Sequence, residues 1–134
     1  MKLFFEVMFG LAFASSAFAA APVATVGGCR AADYVTVTGP AVITVTQTPT
    51  NFAYSPRCLK VAAGATVKIA ASSFHPVQGI PTVGTGAVNP LVAATGPALT
   101  TISQVFTKAG AFGYFCTHHG SADGRGMAGS ILVQ

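Results

Sequence analysis

Short apolar runs with period two, broken by glycine and proline, dominate this chain. Tyr34-Val35-Thr36-Val37-Thr38 alternates until Gly39-Pro40 stops it, and Ala41–Gln47, with Val42, Ile43 and Val45, forms a second run before Pro49. Leu59-Lys60-Val61 continues from Cys58, Ala63-Gly64 turns the chain, and residues 66–70 pair next. Residues 100–107 alternate again, with Ile102, Val105 and Phe106 as expected core; Lys108-Ala109-Gly110 then turns into a strand over 112–116, and residues 130–134 close the sequence. Alternation of this kind puts successive side chains on opposite faces of a strand. Residues 20–28 read as a flexible lead-in. Residues 79–97 hold glycine, proline, threonine, valine and alanine without a charge or a clear period, so a long loop is expected there, broken at most by a short strand or helical turn. Many short strands with Gly and Pro turns, and no sustained helical period, predict an all-β, antiparallel β-sandwich.

The N-terminus departs from this pattern. Met1-Lys2 is a positive start, residues 3–14 are largely apolar, and Ala17-Phe18-Ala19 fits a small-residue cleavage site, which predicts a leader over residues 1–19 and a mature domain over 20–134. The run is too short for a membrane anchor. Val26-Gly27-Gly28-Cys29 loosely resembles a lipid-attachment motif but lies too far from the apolar run. Loss of residues 1–19 removes Lys2 and Glu6 together, so the net charge stays at +4. The remaining cations are dispersed without interleaved aromatics, which argues against nucleic acid as a partner.

Three cysteines in an exported chain leave one without a partner. Tyr114-Phe115-Cys116-Thr117-His118-His119-Gly120 followed by Gly126-Met127-Ala128-Gly129 gathers thiolate, imidazole and thioether donors around one strand end. Cys116 has this metal-like neighbourhood, and Cys29 and Cys58 remain to pair in an oxidising compartment; the bland alternative is two unpaired buried cysteines. Alternation puts Phe112, Tyr114 and Cys116 on one face, with the sulfur of Cys116 aimed inward. A Cys-x-x-His spacing allows Cys116 and His119 to meet one ion. Adjacent side chains diverge, so one of His118 and His119 binds, and His119 is favoured. Met127 then reads as a weak axial donor, although a lone Met is more often core filler. Its partner imidazole is His75, in Phe74-His75-Pro76 at the end of an apolar strand, with His118 as the rival. Soft sulfur and borderline imidazole donors together suit copper in both oxidation states.

With these residues in place, the stretch from 53 to 134 resembles the cupredoxins, type I (blue) copper proteins of the plastocyanin/pseudoazurin kind. The resemblance is carried by Tyr54-Ser55-Pro56, Gly64-Ala65-Thr66-Val67, Phe106-Thr107-Lys108-Ala109-Gly110 and the ordered His…Cys-x-x-His…Met pattern. It implies a Greek-key cupredoxin-like sandwich and one copper ion held by His75, Cys116, His119 and Met127. It departs from the family in a longer, glycine-rich interval between His119 and Met127. His118 also stands where proline is common, and Pro76 stands where the family often has an asparagine that ties the ligand loops together.

Three strong donors and one weak one leave no position for a substrate, which argues against metal-assisted hydrolysis and against an enzyme. The expected function is a small electron carrier, periplasmic or secreted, docking transiently with redox partner proteins such as cytochromes or oxidoreductases and with no stable membrane insertion after leader cleavage. Copper storage or delivery would use the same donors at an exchangeable site. A multicopper enzyme needs more than the three histidines present. A structural zinc site leaves the context of Met127 unexplained.

Overall fold

The computed structural model describes residues 25–81, 87–94 and 101–134. The expected leader and part of the 79–97 segment lie outside the described residues. Among the described residues nine strands form two sheets: β1 Val35–Thr36, β2 Ala41–Gln47, β3 Phe52–Ser55, β4 Cys58–Val61, β5 Ala65–Ile69, β6 Val77–Gly79, β7 Ile102–Phe106, β8 Gly110–Gly120 and β9 Gly126–Val133. One sheet has the order β1-β4-β9-β8-β6 and the other β3-β2-β5-β7. The sandwich expected from the sequence is present, but its sheets are mixed rather than wholly antiparallel. The β1–β4, β4–β9 and β2–β5 ladders run parallel. Parallel neighbours need a connection that leaves the sheet and returns, and here the chain repeatedly crosses to the opposite sheet between them.

Burial explains which strands the alternation revealed. In β2, Ala41 and Ile43 are buried while Val42 faces solvent, the signature of a strand with one wet face. The same period places Ile102 and Phe106 of β7 inside and Val105 outside, which corrects the assignment of Val105 to the core. Strand β9 lies between β4 and β8, and every residue after Gly126 in it is buried. With both faces covered its pattern is continuous rather than alternating, so only its last residues, from 130, were legible as a strand. Ile43, Leu59, Ile69, Phe106, Phe112 and Ile131 fill the space between the sheets.

The described part of the lead-in, residues 25–28, is more ordered than its composition suggests. Val26 and Cys29 pair across a tight turn at Gly27-Gly28, and a disulfide joins Cys29 to Cys58 at the start of β4. The guanidinium of Arg57 donates to the carbonyls of Gly27, Gly124 and Ala128, fastening this turn to the loop before β9 and to β9 itself. In the described part of the 79–97 segment a short helix, α1 Pro90–Ala94, supplies the helical turn allowed for in the expected loop, and β6 ends at its first residue, Gly79. Buried Asn89 holds α1 in place by donating to the carbonyls of Ile80 and Gly113 and accepting from the amide of Leu91. No helix among the described residues is long and apolar enough to cross a membrane.

Candidate metal centre

Two connections meet at one end of the sandwich, the one from β5 to β6 and the one from β8 to β9. His75 lies in a bend between β5 and β6 rather than at the end of a strand. The bend is closed by the His75 amide donating to the Ser72 carbonyl at 3.1 Å, with the Ser72 amide returning a bond to the His75 carbonyl at 3.3 Å. From there the chain crosses to the other sheet, and Val77 pairs with Cys116 in the β6–β8 ladder.

Strand β8 brings Phe112, Tyr114 and Cys116 inward, as the alternation predicts, and all three are buried. Beyond Phe115 the ladder with β9 is irregular. Phe115 pairs with Ala128 and Gly120 with Gly126, so Cys116, Thr117, His118 and His119 are set against the single residue Met127. This bulge, not a free loop, curls Cys116 and His119 back over Met127. It depends on backbones approaching closely: a Cβ on Gly120 would lie 2.3 Å from the Met127 carbonyl oxygen. Gly126 sits at φ +66°, where a Cβ would meet the His119 carbonyl oxygen at 2.3 Å. The glycine-rich interval from 121 to 126 is a closed turn. Arg125 and Ser121 both bond the Asp123 carboxylate, and together they hold its pKa well below the usual carboxylate range.

The result is a compact donor cluster. The ligating atoms of His75, Cys116 and His119 all lie within 4.8 Å of one another. Cys116 Sγ and His119 Nδ1 are 3.5 Å apart. Met127 is fully buried in the same core cluster as Cys116. His75 is half-buried and His119 exposed, so the cluster reaches from the core to the surface. Burial, and then the nearby His119 and His118, lower the pKa of His75 and favour the neutral imidazole that a metal requires. His75 Nδ1 is buried without a hydrogen-bond partner among the described residues. An orphaned buried nitrogen beside a thiol and a second imidazole fits a bound metal ion, which would supply the missing interaction.

His118 is turned away from the cluster. Its Nδ1 lies 3.3 Å from the carbonyl oxygen of Phe74; that oxygen can only accept, so this nitrogen carries the proton. The contact also answers the departure at Pro76. Proline has no N–H to give, yet its carbonyl accepts from the Thr117 amide at 3.0 Å. With the His118–Phe74 bond, this ties the two histidine-bearing segments together.

Sequence reasoning gave two aromatic residues no place at the site, quoting Tyr54 only within the Tyr54-Ser55-Pro56 match. Phe52, on β3 of the opposite sheet, packs against both histidines, with ring centroids 4.5 Å from His75 and 4.9 Å from His119. Tyr54, two residues on, is buried against Tyr114 at 4.9 Å. Burial and the nearby Cys116 push its phenol pKa up and keep it neutral. The available signal was the alternation Phe52-Ala53-Tyr54-Ser55, which the preceding Pro49 and following Pro56 obscured.

No protein-family model and no curated protein matches the chain. Solved structures do. The fold is similar to oxidised plastocyanin from Dryopteris crassirhizoma, with a TM-score of 0.52 and 24% identity over 69% of this chain and 99% of that one. It is also similar to the copper protein rusticyanin, with a TM-score of 0.50 and 21% identity over 82% of this chain and 88% of that one.

Proposed function

We propose, from the cupredoxin fold shared with these structures, that the protein is a small exported electron carrier with one type I copper site. The observation that carries this reading is the convergence of His75, Cys116 and His119, with Met127 buried opposite the bulge that presents two of them. In this reading His75, Cys116 and His119 are the strong ligands and Met127 the weak axial one. Bound there, copper would supply reversible one-electron chemistry between Cu(II) and Cu(I).

The residues around the cluster serve that role without bond-making chemistry. Strands β6, β8 and β9 hold the donors in a packed framework, which limits rearrangement when charge changes. Exposed His119 connects the buried sulfur to the surface and is the expected electron port. The segments that bear the histidines, residues 71–79 and 114–120, contain no Asp, Glu, Lys or Arg, and the adjoining turn carries only the paired Asp123 and Arg125. Phe74, 77% exposed, precedes His75 in the chain, and its carbonyl oxygen lies 3.3 Å from His118 Nδ1. A small rim without net charge and with one apolar projection suits brief docking to redox partner proteins rather than a stable complex. The leader-like sequence and the Cys29–Cys58 disulfide support a mature domain of residues 20–134 in a periplasmic or secreted setting.

A storage or delivery role is favoured only by the exposure of His119, which opens a path for exchange. The test is to load the purified protein with Cu(II) and record its absorption, redox titration and loss of copper to a chelator. An intense sulfur-to-copper band in the red and a reversible one-electron wave are expected. Absence of the band overturns the assignment, and fast loss of copper without reversible cycling moves the role to copper handling.

A further inference from the structure

The two histidines of the cluster lack the support that metal-bound imidazoles ordinarily receive. Such rings usually donate their second nitrogen to a carbonyl or carboxylate, which fixes the ring plane. Among the described residues neither the His75 ring nor the His119 ring has a hydrogen bond outside the cluster; their contact is Cys116 Sγ with His119 Nδ1. His119 is also exposed, so packing alone holds it weakly. Phe52 touches both rings. Its plane meets that of His75 at 61° and that of His119 at 55°, and the two imidazoles are themselves 5.0 Å apart and inclined at 47°. Edge-on and tilted contacts of this kind are directional, because the positive edge of one ring seeks the electron-rich face of another.

Phe52 comes from the edge strand of the four-stranded sheet, whereas Cys116, His119 and Met127 all lie in the five-stranded one. It is anchored by pairing with Gln47 across the β2–β3 turn, within a ladder that continues to Ser55. Its ring therefore approaches the cluster from a second, independently held wall.

We infer that Phe52 is a positioning residue of the metal centre, whose aromatic ring sets the planes of the His75 and His119 imidazoles in place of hydrogen bonds. The inference rests on the copper reading above. It distinguishes an aromatic requirement from a simple need for apolar bulk, because an aliphatic side chain fills volume without orienting a ring.

The test compares Phe52→Leu, which keeps apolar bulk, with Phe52→Tyr, which keeps the ring. Phe52→Met stands in if the leucine variant does not fold, as judged by circular dichroism. In the metal-free protein, proton NMR of the histidine rings reads the contact directly. The Leu variant is expected to lose ring-current displacement of the His75 and His119 ring protons, and the Tyr variant to retain it. In the copper-loaded protein, the Leu variant is expected to lose copper to a chelator on the order of tenfold faster. It should also show an altered absorption envelope and a shifted reduction potential, while Phe52→Tyr stays near wild type. Unchanged spectra, potential and copper loss in Phe52→Leu would overturn the inference, as would equal changes in both variants. Wild-type protein that shows no sulfur-to-copper band defeats the copper reading, and the positioning role with it. A normal wild-type band with an indifferent leucine variant defeats the Phe52 inference alone.

Discussion

Met127 is a core residue and, in the proposed function, also a ligand, and substitution can separate the two roles. As a core residue it is fully buried and packs with Cys116, Tyr114 and Ile131 in one apolar cluster. As a proposed ligand it offers a thioether from beneath the bulge formed by residues 116–119. Met127→Ala removes most of the side chain from a site whose backbone is pinned by the Gly120–Gly126 pairing, so collapse around the gap is limited. A loss of roughly 2–5 kcal/mol is expected in the metal-free protein. Met127→Leu keeps the volume and should cost below about 1.5 kcal/mol. Denaturant unfolding of the metal-free variants measures both, read from the midpoint at constant slope. Copper-loaded Met127→Leu should retain an intense sulfur-to-copper band, since Cys116 and both histidines remain. Its reduction potential should rise, because loss of an electron-donating thioether disfavours the higher oxidation state. A leucine variant with wild-type potential would refute the axial assignment and leave Met127 as core filler. A metal-free leucine variant as unstable as the alanine variant would refute the packing argument.

Three further outcomes follow from the same geometry. His119→Ala should abolish or strongly alter the sulfur-to-copper band, whereas His118→Ala should preserve it and cost only about 0.5–1.5 kcal/mol for its exposed bond to Phe74; the reverse result would exchange the two assignments. The Cys29–Cys58 bridge spans 29 residues, and loop-closure entropy for that length predicts a loss of about 3.5 kcal/mol in the Cys29→Ala/Cys58→Ala variant. Calorimetry showing a loss below about 1 kcal/mol would refute the loop-entropy argument and mean that the unfolded, unlinked chain already keeps these two segments close. Gly120→Ala would press a methyl group against the Met127 carbonyl oxygen, so it should destabilise the metal-free protein by roughly 1–3 kcal/mol and broaden the copper spectrum. A fully native spectrum and stability would refute the close-approach argument.

Much of this centre was legible in residue order alone. Donor identity is a local property, so Cys116, His119 and Met127 could be named as candidate donors from chemistry and spacing, and the structure brings the first two together with His75; the strands with one face in solvent were legible for the same local reason. Cysteine count and compartment pointed to the Cys29–Cys58 pair for a similarly local reason. Other features depended on contacts between distant parts of the chain. Strand β9 hid its length because both its faces are covered, and period two vanishes when neither face is wet. Val105 is apolar, yet period two counted from Ile102 sets it on the face opposite Ile102 and Phe106, and there it is exposed. The choice of His119 over His118 was argued from spacing, and the bulge against Met127 then supplied the geometry, sending one ring into the cluster and the other to Phe74. Phe52 could not be read as part of the site, since nothing in an isolated Phe-Ala-Tyr-Ser run says which distant rings it will meet. Side-chain chemistry is written residue by residue, whereas ring planes, register and enclosure arise only when the two sheets close on each other.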